Sequence, residues 1–485
     1  MKYLFLLLVS ACLFLGQPLS AQTHLPGDSL SPPSTEAAAL IHSAGSDHHA
    51  HDAHLPALWS VAPFILLLLM IATGPIWFSD FWHHYYPWIA GGLGAVTLIY
   101  YLGGLGDWHH PLHTLSEYIS FVALLAPLYI ASGGVLIQVD ARSTPWVNLL
   151  LLLTGAVLAN VIGTTGASML LIRPFIRLNR YRLQPYHIVF FIFIVSNAGG
   201  LLTPIGDPPL FLGFLKGVPF GWTLAHLWDE WAVALLMLSA IFIWRDRRNT
   251  EGADLPDSIY GQRIIVRGTR SFLWLAVIIG AVFLDPKLVP WVPALNIGGE
   301  RISFLRELIQ LGAGAAAYFL ANKTALKSNQ FSFAPVQEVV FLFVGIFFTM
   351  MPALQLIGEA ASGPEGRAWL TPDVLYWLTG SLSAVLDNAP TYVNFLSASC
   401  AAAGLEVGVM GDVARFAGQE VASLAAISVA SVFFGAMTYI GNGPNFMVKA
   451  IAEESGVEMP SFFAYVRKYS LPYLLPVLIF IWLIS

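Results

Sequence analysis

The chain has 485 residues, of which 56% are hydrophobic and only 11% are charged, and its mean hydropathy is +0.69. Soluble domains carry about 25% charged residues, so this composition excludes a soluble protein and places most of the chain in lipid. The net charge of -6 is small and offers no basic surface for nucleic acid. We expect an all-α polytopic membrane protein whose principal partner is the lipid bilayer.

The first 21 residues have the features of a secretory signal peptide. Lys2 precedes the apolar run 3–15, and Leu19-Ser20-Ala21 is a small-residue cleavage site. A lipobox ending at Cys12 is the alternative. Either interpretation predicts a multi-pass protein of a bacterial inner membrane with an extracytoplasmic mature N-terminus. Residues 22–55 form a His-rich leader, which we interpret as an extracytoplasmic tail because its histidines show no metal-ligand spacing.

Ten apolar runs after residue 55 are long enough to cross a membrane as helices. They lie near 57–77, 87–105, 117–138, 186–216, 222–244, 271–291, 303–321, 336–357, 413–450 and 461–484. We divide the chain into N-terminal transmembrane helices at 57–105, a first repeat at 117–244, a cytoplasmic linker at 245–270 and a second half with the second repeat at 271–485.

Two further apolar stretches, 146–172 and 373–403, are interrupted near their middle. The interruptions are Asn160-Val161-Ile162-Gly163-Thr164-Thr165-Gly166 and Asp387-Asn388-Ala389-Pro390-Thr391. We interpret both stretches as re-entrant hairpins, whose non-helical tips must be buried in protein or line a wet cavity. With two hairpins that do not cross, the Arg- and Lys-rich loops all fall on the cytoplasmic side. Arg173, just after the first hairpin, is expected to extend to that surface.

A motif occurs twice at an offset of 235 residues. Segments 196–209 and 431–444 both read S-x3-G-x2-T-x-I-G-[DN]-x-P, and the predicted topology gives them opposite orientations. The spacing extends upstream: Asn160 lies 43 residues before Thr203, Asn388 lies 50 residues before Thr438, and Glu117 and Glu338 each open an apolar helix. Inverted repeats with two re-entrant hairpins and two broken transmembrane helices are the plan of secondary transporters.

The repeated Gly/Pro clusters place carboxylates at bilayer depth. Asp207 follows Gly206 and precedes two prolines, so we expect the helix to break at this position. The break leaves backbone carbonyls free to coordinate a cation, and the N-terminus of the following half-helix points at the site. Asp387 repeats this arrangement at the second hairpin, and we predict both acids as sodium ligands. The candidate ion- or substrate-binding residues are Asn160, Thr164, Ser196, Asn197, Thr203, Gly206, Asp207, Asp387, Asn388, Thr391, Thr438, Gly441, Asn442 and Asn445.

The chain contains no G-x4-G-K-[ST] nucleotide-binding loop. We therefore expect a non-enzymatic protein that runs on ion gradients, without a cofactor other than the sodium ions and protons that it moves or couples.

At these motifs the chain resembles the ion-transporter superfamily, over about residues 57–485. That superfamily includes NhaD-type sodium/proton antiporters, citrate/metal symporters, arsenite permeases and divalent-anion/sodium symporters. The resemblance implies a scaffold with an elevator-like transport domain and a homodimer. The Ser-Asn-Thr of the dicarboxylate branch is absent, and Asp387 would repel a dianion, so the antiporter and citrate-transporter-like branches fit better.

Two functions follow from these residues. The first is sodium/proton antiport, in which both ions compete for Asp207 and Asp387. The alternative is sodium- or proton-coupled transport of a small anion, citrate-like or arsenite-like, in which the acids bind the coupling ion and the half-helix N-termini bind the anion.

Overall fold

The computed structural model describes residues 55–249, 263–284, 292–293, 295–297 and 300–485. The predicted signal peptide at 1–21, the leader at 22–55 except for its last residue, and residues 250–262 of the predicted linker lie outside these ranges. The described chain is mostly helical and its short strands form two antiparallel pairs. This confirms the predicted all-α polytopic fold.

The helices of the first half are α1 (Ala62–Trp77), α2 (Ser79–Ile99), α3 (His109–Gly133), α4 (Pro145–Leu178), α5 (Pro185–Ile194), α6 (Pro208–Lys216), α7 (Trp222–His226) and α8 (Trp228–Asp246). Single 3-10 turns at Leu58–Val61 and Ala198–Leu202 and a π-helical segment at Tyr100–Leu105 adjoin them. Strand β1 (Leu136–Asp140) pairs antiparallel with β2 (Arg263–Arg267).

The helices of the second half are α9 (Arg270–Ala281), α10 (Leu305–Phe319), α11 (Lys323–Ser328), α12 (Ala334–Ser362), α13 (Pro364–Trp369), α14 (Pro372–Ser383), α15 (Asn388–Ala402), α16 (Met410–Gln419), α17 (Val421–Phe434), α18 (Gly443–Glu454), α19 (Phe462–Tyr465) and α20 (Leu475–Ile484). A 3-10 turn at Gly435–Met437 follows α17, and a π-helical segment at Val466–Leu474 joins α19 to α20. Strands β3 (Leu295–Ile297) and β4 (Glu300–Ile302) form a small hairpin.

Helix α4 is a hairpin rather than a straight rod. It contains 34 residues, which would extend about 50 Å if straight, yet Asn148 Nδ2 lies 2.8 Å from Asn179 Oδ1 at its other end. The chain reverses at Gly163, whose φ of 77° and ψ of 155° suit glycine. The first re-entrant hairpin is therefore confirmed, and its second arm extends to Leu178. We call α4 hairpin 1.

A buried ionic cluster holds the base of hairpin 1. Asp246, at the end of α8, is fully buried and lies 2.8 Å from Arg182 Nη2. The same carboxylate accepts a hydrogen bond from Asn148 Nδ2 at 3.2 Å and lies 3.0 Å from His187 Nε2. Because Asn148 and Asn179 are themselves bonded, both ends of hairpin 1 are fixed to α5 and α8.

The second hairpin is also confirmed. Helices α14 and α15 are joined by residues 384–387, and both pack against α17. Asp387 caps α15, because its Oδ1 accepts a hydrogen bond from the Ala389 N–H at 3.0 Å. We call residues 372–402 hairpin 2; its helix α15 also packs against α12 and α6.

Both predicted broken helices are present, but one predicted span has different bounds. The span 186–216 forms α5, a 3-10 turn and α6, as expected. The predicted span 413–450 starts inside a separate helix, because Met410–Gln419 lies at 99° to Val421–Met437. Helix α16 carries Asp412 and Arg415 among apolar residues, so it is amphipathic and stands apart from the span. The second broken helix is therefore α17, its 3-10 turn and α18.

Two smaller expectations are wrong. Helix α3 begins at His109 rather than near Glu117, because the Asp107 carboxylate accepts hydrogen bonds from the N–H groups of His109 and His110. Glu117 thus lies two turns inside α3, and Glu338 likewise lies inside α12. The predicted span 271–291 is helical over only 12 residues, Arg270–Ala281, and residues 285–291 are outside the described part of the chain.

Candidate functional site

Asp207 lies at the N-cap of α6 and is 1% exposed. Its carboxylate accepts hydrogen bonds from Thr164 Oγ1 at 2.7 Å, Asn388 Nδ2 at 2.6 Å and Asn442 Nδ2 at 3.1 Å. The three donors come from hairpin 1, hairpin 2 and the second broken helix. The elements predicted to form the site therefore converge on one carboxylate, whose charge the N-terminus of α6 also favours.

The two breaks are built in the same way. Thr203 Oγ1 donates to the Asn160 carbonyl at 2.6 Å, and Thr438 Oγ1 donates to the Ala384 carbonyl at 2.6 Å. The sequence separations are 43 and 54 residues. The first equals the Asn160–Thr203 spacing in the sequence, whereas Thr438 contacts Ala384, which precedes Asn388 by one helical turn. Ala384 escaped detection because it contributes only a carbonyl, which leaves no side-chain signature.

The motif offset corresponds to a contact in space. Asp207 and Asn442 are 235 residues apart in sequence and bonded to each other. The residues therefore occupy equivalent positions of the two repeats and meet where the repeats cross. One position holds an acid and the other an amide.

Glycines let the chain pass close to itself at each break. A Cβ on Gly206 would lie 2.0 Å from the Gly200 carbonyl oxygen, and a Cβ on Gly441 would lie 2.6 Å from the Gly435 carbonyl oxygen. Gly206 also accepts a backbone hydrogen bond from Thr164 N–H at 2.8 Å. Gly206 and Gly441 thus serve the site through their missing side chains.

A buried amide network surrounds Asp207. Asn442 Nδ2 also reaches the Asn197 Oδ1 at 3.1 Å and the Ser196 carbonyl at 3.2 Å. Asn197 Nδ2 in turn donates to Asn445 Oδ1 at 2.7 Å, and Asn445 Nδ2 donates to the Gly435 carbonyl at 2.8 Å. These bonds link the two broken helices and fix the orientation of the amides.

Other predicted site residues use their side chains to hold the backbone. Asn160 Oδ1 accepts from the Leu202 N–H at 2.8 Å, and its Nδ2 donates to the Ala156 carbonyl at 3.1 Å. Thr391 Oγ1 donates to the Asp387 carbonyl at 2.9 Å. In this arrangement Asn160 and Thr391 shape the hairpin tips.

A cavity of about 370 Å³ leads to the site. Its inner end is lined by Gly163, Thr164, Thr165, Asp387 and Asn442. Its walls come from the second half of α3, the beginning of α12 and the length of α18. Because these parts all lie toward the membrane face at which α3 ends and α12 begins, the cavity opens to that face.

One oxygen beside the carboxylate is unused. Asn388 Oδ1 is buried and accepts no hydrogen bond, although Nδ2 of the same amide donates to Asp207. Hard cations take carboxylate, amide and carbonyl oxygens as ligands. In the part of the chain that the structure describes, no three His, Cys, Asp or Glu side chains converge, so this ligand set suits a cation that binds oxygens alone rather than a transition metal.

Sequence reasoning misplaced one charged group near the site and did not consider another farther away. Arg173 was expected at the membrane surface but lines the cavity, because the hairpin geometry brings it inside. Lys216, at the far end of α6, lies 2.9 Å from Glu117 of α3.

Two copies of one motif that meet at a buried acid, with a cavity leading to it, match the plan of a secondary transporter. The chain belongs to the family described as "putative citrate transport", whose model matches residues 52–485. It is also similar to an uncharacterized transporter of Synechocystis sp., with 24% identity over 461 residues that cover 87% of this chain and 95% of the relative.

Proposed function

We propose that the protein exchanges sodium ions for protons, which compete for the carboxylates of Asp207 and Asp387. The observation that carries the proposal is the environment of Asp207: a hydroxyl and two amides donate to it. Among the residues that the structure describes, no Lys, Arg or His nitrogen lies within 4.0 Å of either carboxylate. A buried charge without a fixed counter-ion requires a bound cation or a proton.

Competition at one carboxylate is sufficient for exchange. An empty carboxylate at bilayer depth costs about 3 kcal/mol or more, whereas the protonated and sodium-bound forms carry no net charge. Only the loaded forms would then change the side to which the site opens. When a sodium ion leaves the carboxylate on one side of the membrane, a proton takes its place. The protonated carboxylate can then face the other side again.

The neutral residues would complete the sodium shell. Asn388 supplies its unused Oδ1, and Asn197 and Asn442 hold oriented amides behind Asp207. Asp387 lines the cavity that leads to the site, which suits it to receive the ion before Asp207 does. Thr164 donates to Asp207 in the empty site and can turn its hydroxyl oxygen toward a cation.

Access from the two sides would alternate. The cavity opens to one face, and we propose that hairpins 1 and 2 and the two broken helices move together against α1–α3 and α12 to open the other. The elevator-like motion and the homodimer that the family resemblance implies are consistent with this division.

The test is exchange in everted membrane vesicles. Addition of sodium should dissipate a preset pH gradient with the wild-type protein, and Asp207→Asn should abolish this response. Asp373→Asn is a matched control, because Asp373 is an exposed acid whose Oδ1 accepts a hydrogen bond from Trp482 Nε1 that an amide oxygen can also accept. A pH gradient that sodium leaves unchanged, or full exchange by Asp207→Asn, rejects the proposal.

A second candidate is cation-coupled transport of a small anion. The family's description as putative citrate transport and the arginine in the cavity favour it. Radiolabelled citrate should then accumulate in proteoliposomes under an inward sodium or proton gradient, and absence of accumulation under either gradient rejects it.

A further inference from the structure

Two arginines that directly follow α8 each lie over a tryptophan ring. The Arg247 Cζ is 5.7 Å from the ring centroid of Trp146, on hairpin 1, and the Arg248 Cζ is 4.0 Å from the ring centroid of Trp244, on α8. Both arginines are exposed, and the two tryptophans are 62% and 48% exposed. A guanidinium over an aromatic face keeps the N–H donors in its own plane available for a ligand.

The described chain places no acid against this pair of charges. The neighbouring Asp246 is fully buried, and both of its carboxylate oxygens are bonded to Arg182 and other residues at the base of hairpin 1. No carboxylate of the described residues lies within 4.0 Å of the Arg247 or Arg248 guanidinium. This part of the surface therefore suits an anionic partner.

Both tryptophans also end a row of exposed apolar side chains that runs along one face of a helix. The rows consist of Trp146, Leu150, Val157 and Val161 on the first arm of hairpin 1, and of Leu236, Ala240 and Trp244 on α8. Because the two arginines are adjacent in the chain and each covers one of the tryptophans, the rows come together at the arginines. An exposed apolar row in a membrane protein faces the lipid hydrocarbon.

We propose that an anionic phospholipid binds at this position, with its phosphate at Arg247 and Arg248 and its acyl chains along the two apolar rows. Arginine matches phosphate oxygens through parallel N–H groups, and tryptophan suits the boundary between headgroups and hydrocarbon. A free phosphate ion would use the arginines but leave the apolar rows without a role, so the rows favour a lipid. The site is independent of ion exchange at Asp207.

Lipid binding is measured on the purified full-length protein in neutral detergent by native mass spectrometry. The probes are dioleoyl phosphatidylglycerol, dioleoyl phosphatidylcholine, which has the same chains but no net charge, and glycerol phosphate, which has no chains. Phosphatidylglycerol should bind most tightly to the wild type. The double variant Arg247→Gln with Arg248→Gln should weaken this binding about 25-fold, because each basic residue near an anionic lipid contributes about fivefold.

Lys323→Gln with Lys327→Gln is the charge-matched control. Both lysines are exposed on α11, which lies near the base of hairpin 1, since Arg177 of hairpin 1 donates to the Ser328 carbonyl at 3.0 Å. This double variant should bind phosphatidylglycerol like the wild type. An equal loss in the control would show adsorption by overall charge and overturn the proposal.

Three other results would also overturn the proposed lipid site. They are phosphatidylcholine binding as tight as phosphatidylglycerol binding, glycerol phosphate binding as tight as lipid binding, and unchanged affinity in the folded arginine double variant. Should that variant not fold, Arg248→Gln alone decides the matter. It should weaken phosphatidylglycerol binding about fivefold, and unchanged affinity rejects the site.

Discussion

Lys216 Nζ lies 2.9 Å from both carboxylate oxygens of Glu117, at the opposite end of helix α6 from Asp207. A helix of nine residues thus joins the buried acid at the repeat crossing to an ion pair with α3. Glu117 lies in the first half of α3, whereas the cavity runs along its second half. The ion pair therefore holds α6 against α3 on the side of the site away from this cavity.

Loss of this ion pair should destabilise the protein. The side chains of Lys216 and Glu117 are 10% and 13% exposed, so removal of one partner leaves a mostly buried charge. We expect Lys216→Gln or Glu117→Gln to lower the free energy of unfolding by up to about 3 kcal/mol, and the double variant to lose less than the sum of both. Thermal unfolding of the purified variants measures this.

Lys449 and Glu453 provide the comparison pair, since they are 2.8 Å apart but 22% and 44% exposed. Their Gln variants should change stability by about 0.5 kcal/mol or less. Equal effects at the two pairs would show that the Lys216–Glu117 contact has no special role.

Asn388 and Asn394 allow a test of the unused amide oxygen. Both lie on α15 and both have a buried Oδ1 without a partner, but only Asn388 contacts Asp207. Asn388→Ala should raise the sodium concentration for half-maximal exchange about tenfold, since it removes a ligand and a donor to a charged group. Asn394→Ala should leave that concentration unchanged. Similar shifts in both variants would point to general loosening of hairpin 2.

The glycines at the breaks should tolerate no side chain. A Cβ on Gly206 or Gly441 would clash with a backbone oxygen at 2.0 or 2.6 Å, whereas a Cβ on Gly443 would meet no atom within 4 Å. Gly206→Ala and Gly441→Ala should each cost about 3 kcal/mol of stability, and Gly443→Ala little. Melting temperatures in detergent measure the difference, and a stable Gly206→Ala would contradict the described backbone.

The paired threonines should behave alike. Thr203→Val and Thr438→Val each remove a hydroxyl bond to a hairpin carbonyl and the acceptor of the Gly206 or Gly441 N–H, which should cost about 2 kcal/mol. Thr→Ser at either position keeps the hydroxyl and should cost less. The two positions should therefore give matching losses in thermal unfolding. A large loss at one position with none at the other would show that the two breaks are not equivalent.

The sequence predicted the hairpins and the broken helices because the residues that interrupt these helices are recognisable by type. Asp207, Asn388 and the doubled glycine motif mark the hairpin tips and broken helices directly. The register of hairpin 2 could not be predicted, since Ala384 takes part only through its carbonyl. The inward position of Arg173 was equally hidden, because an arginine after an apolar stretch also suits the membrane surface.

The pairing of Asp207 with Asn442 makes the two membrane directions unequal. The predicted topology makes the repeats inverted copies, in which identical residues at these positions would give a site that looks the same from either side. Because one copy carries the acid and the other an amide, the site lacks this symmetry. Reversed insertion of the protein in a bilayer would therefore produce a transporter with different kinetics, and vesicles of mixed orientation should show two rate phases.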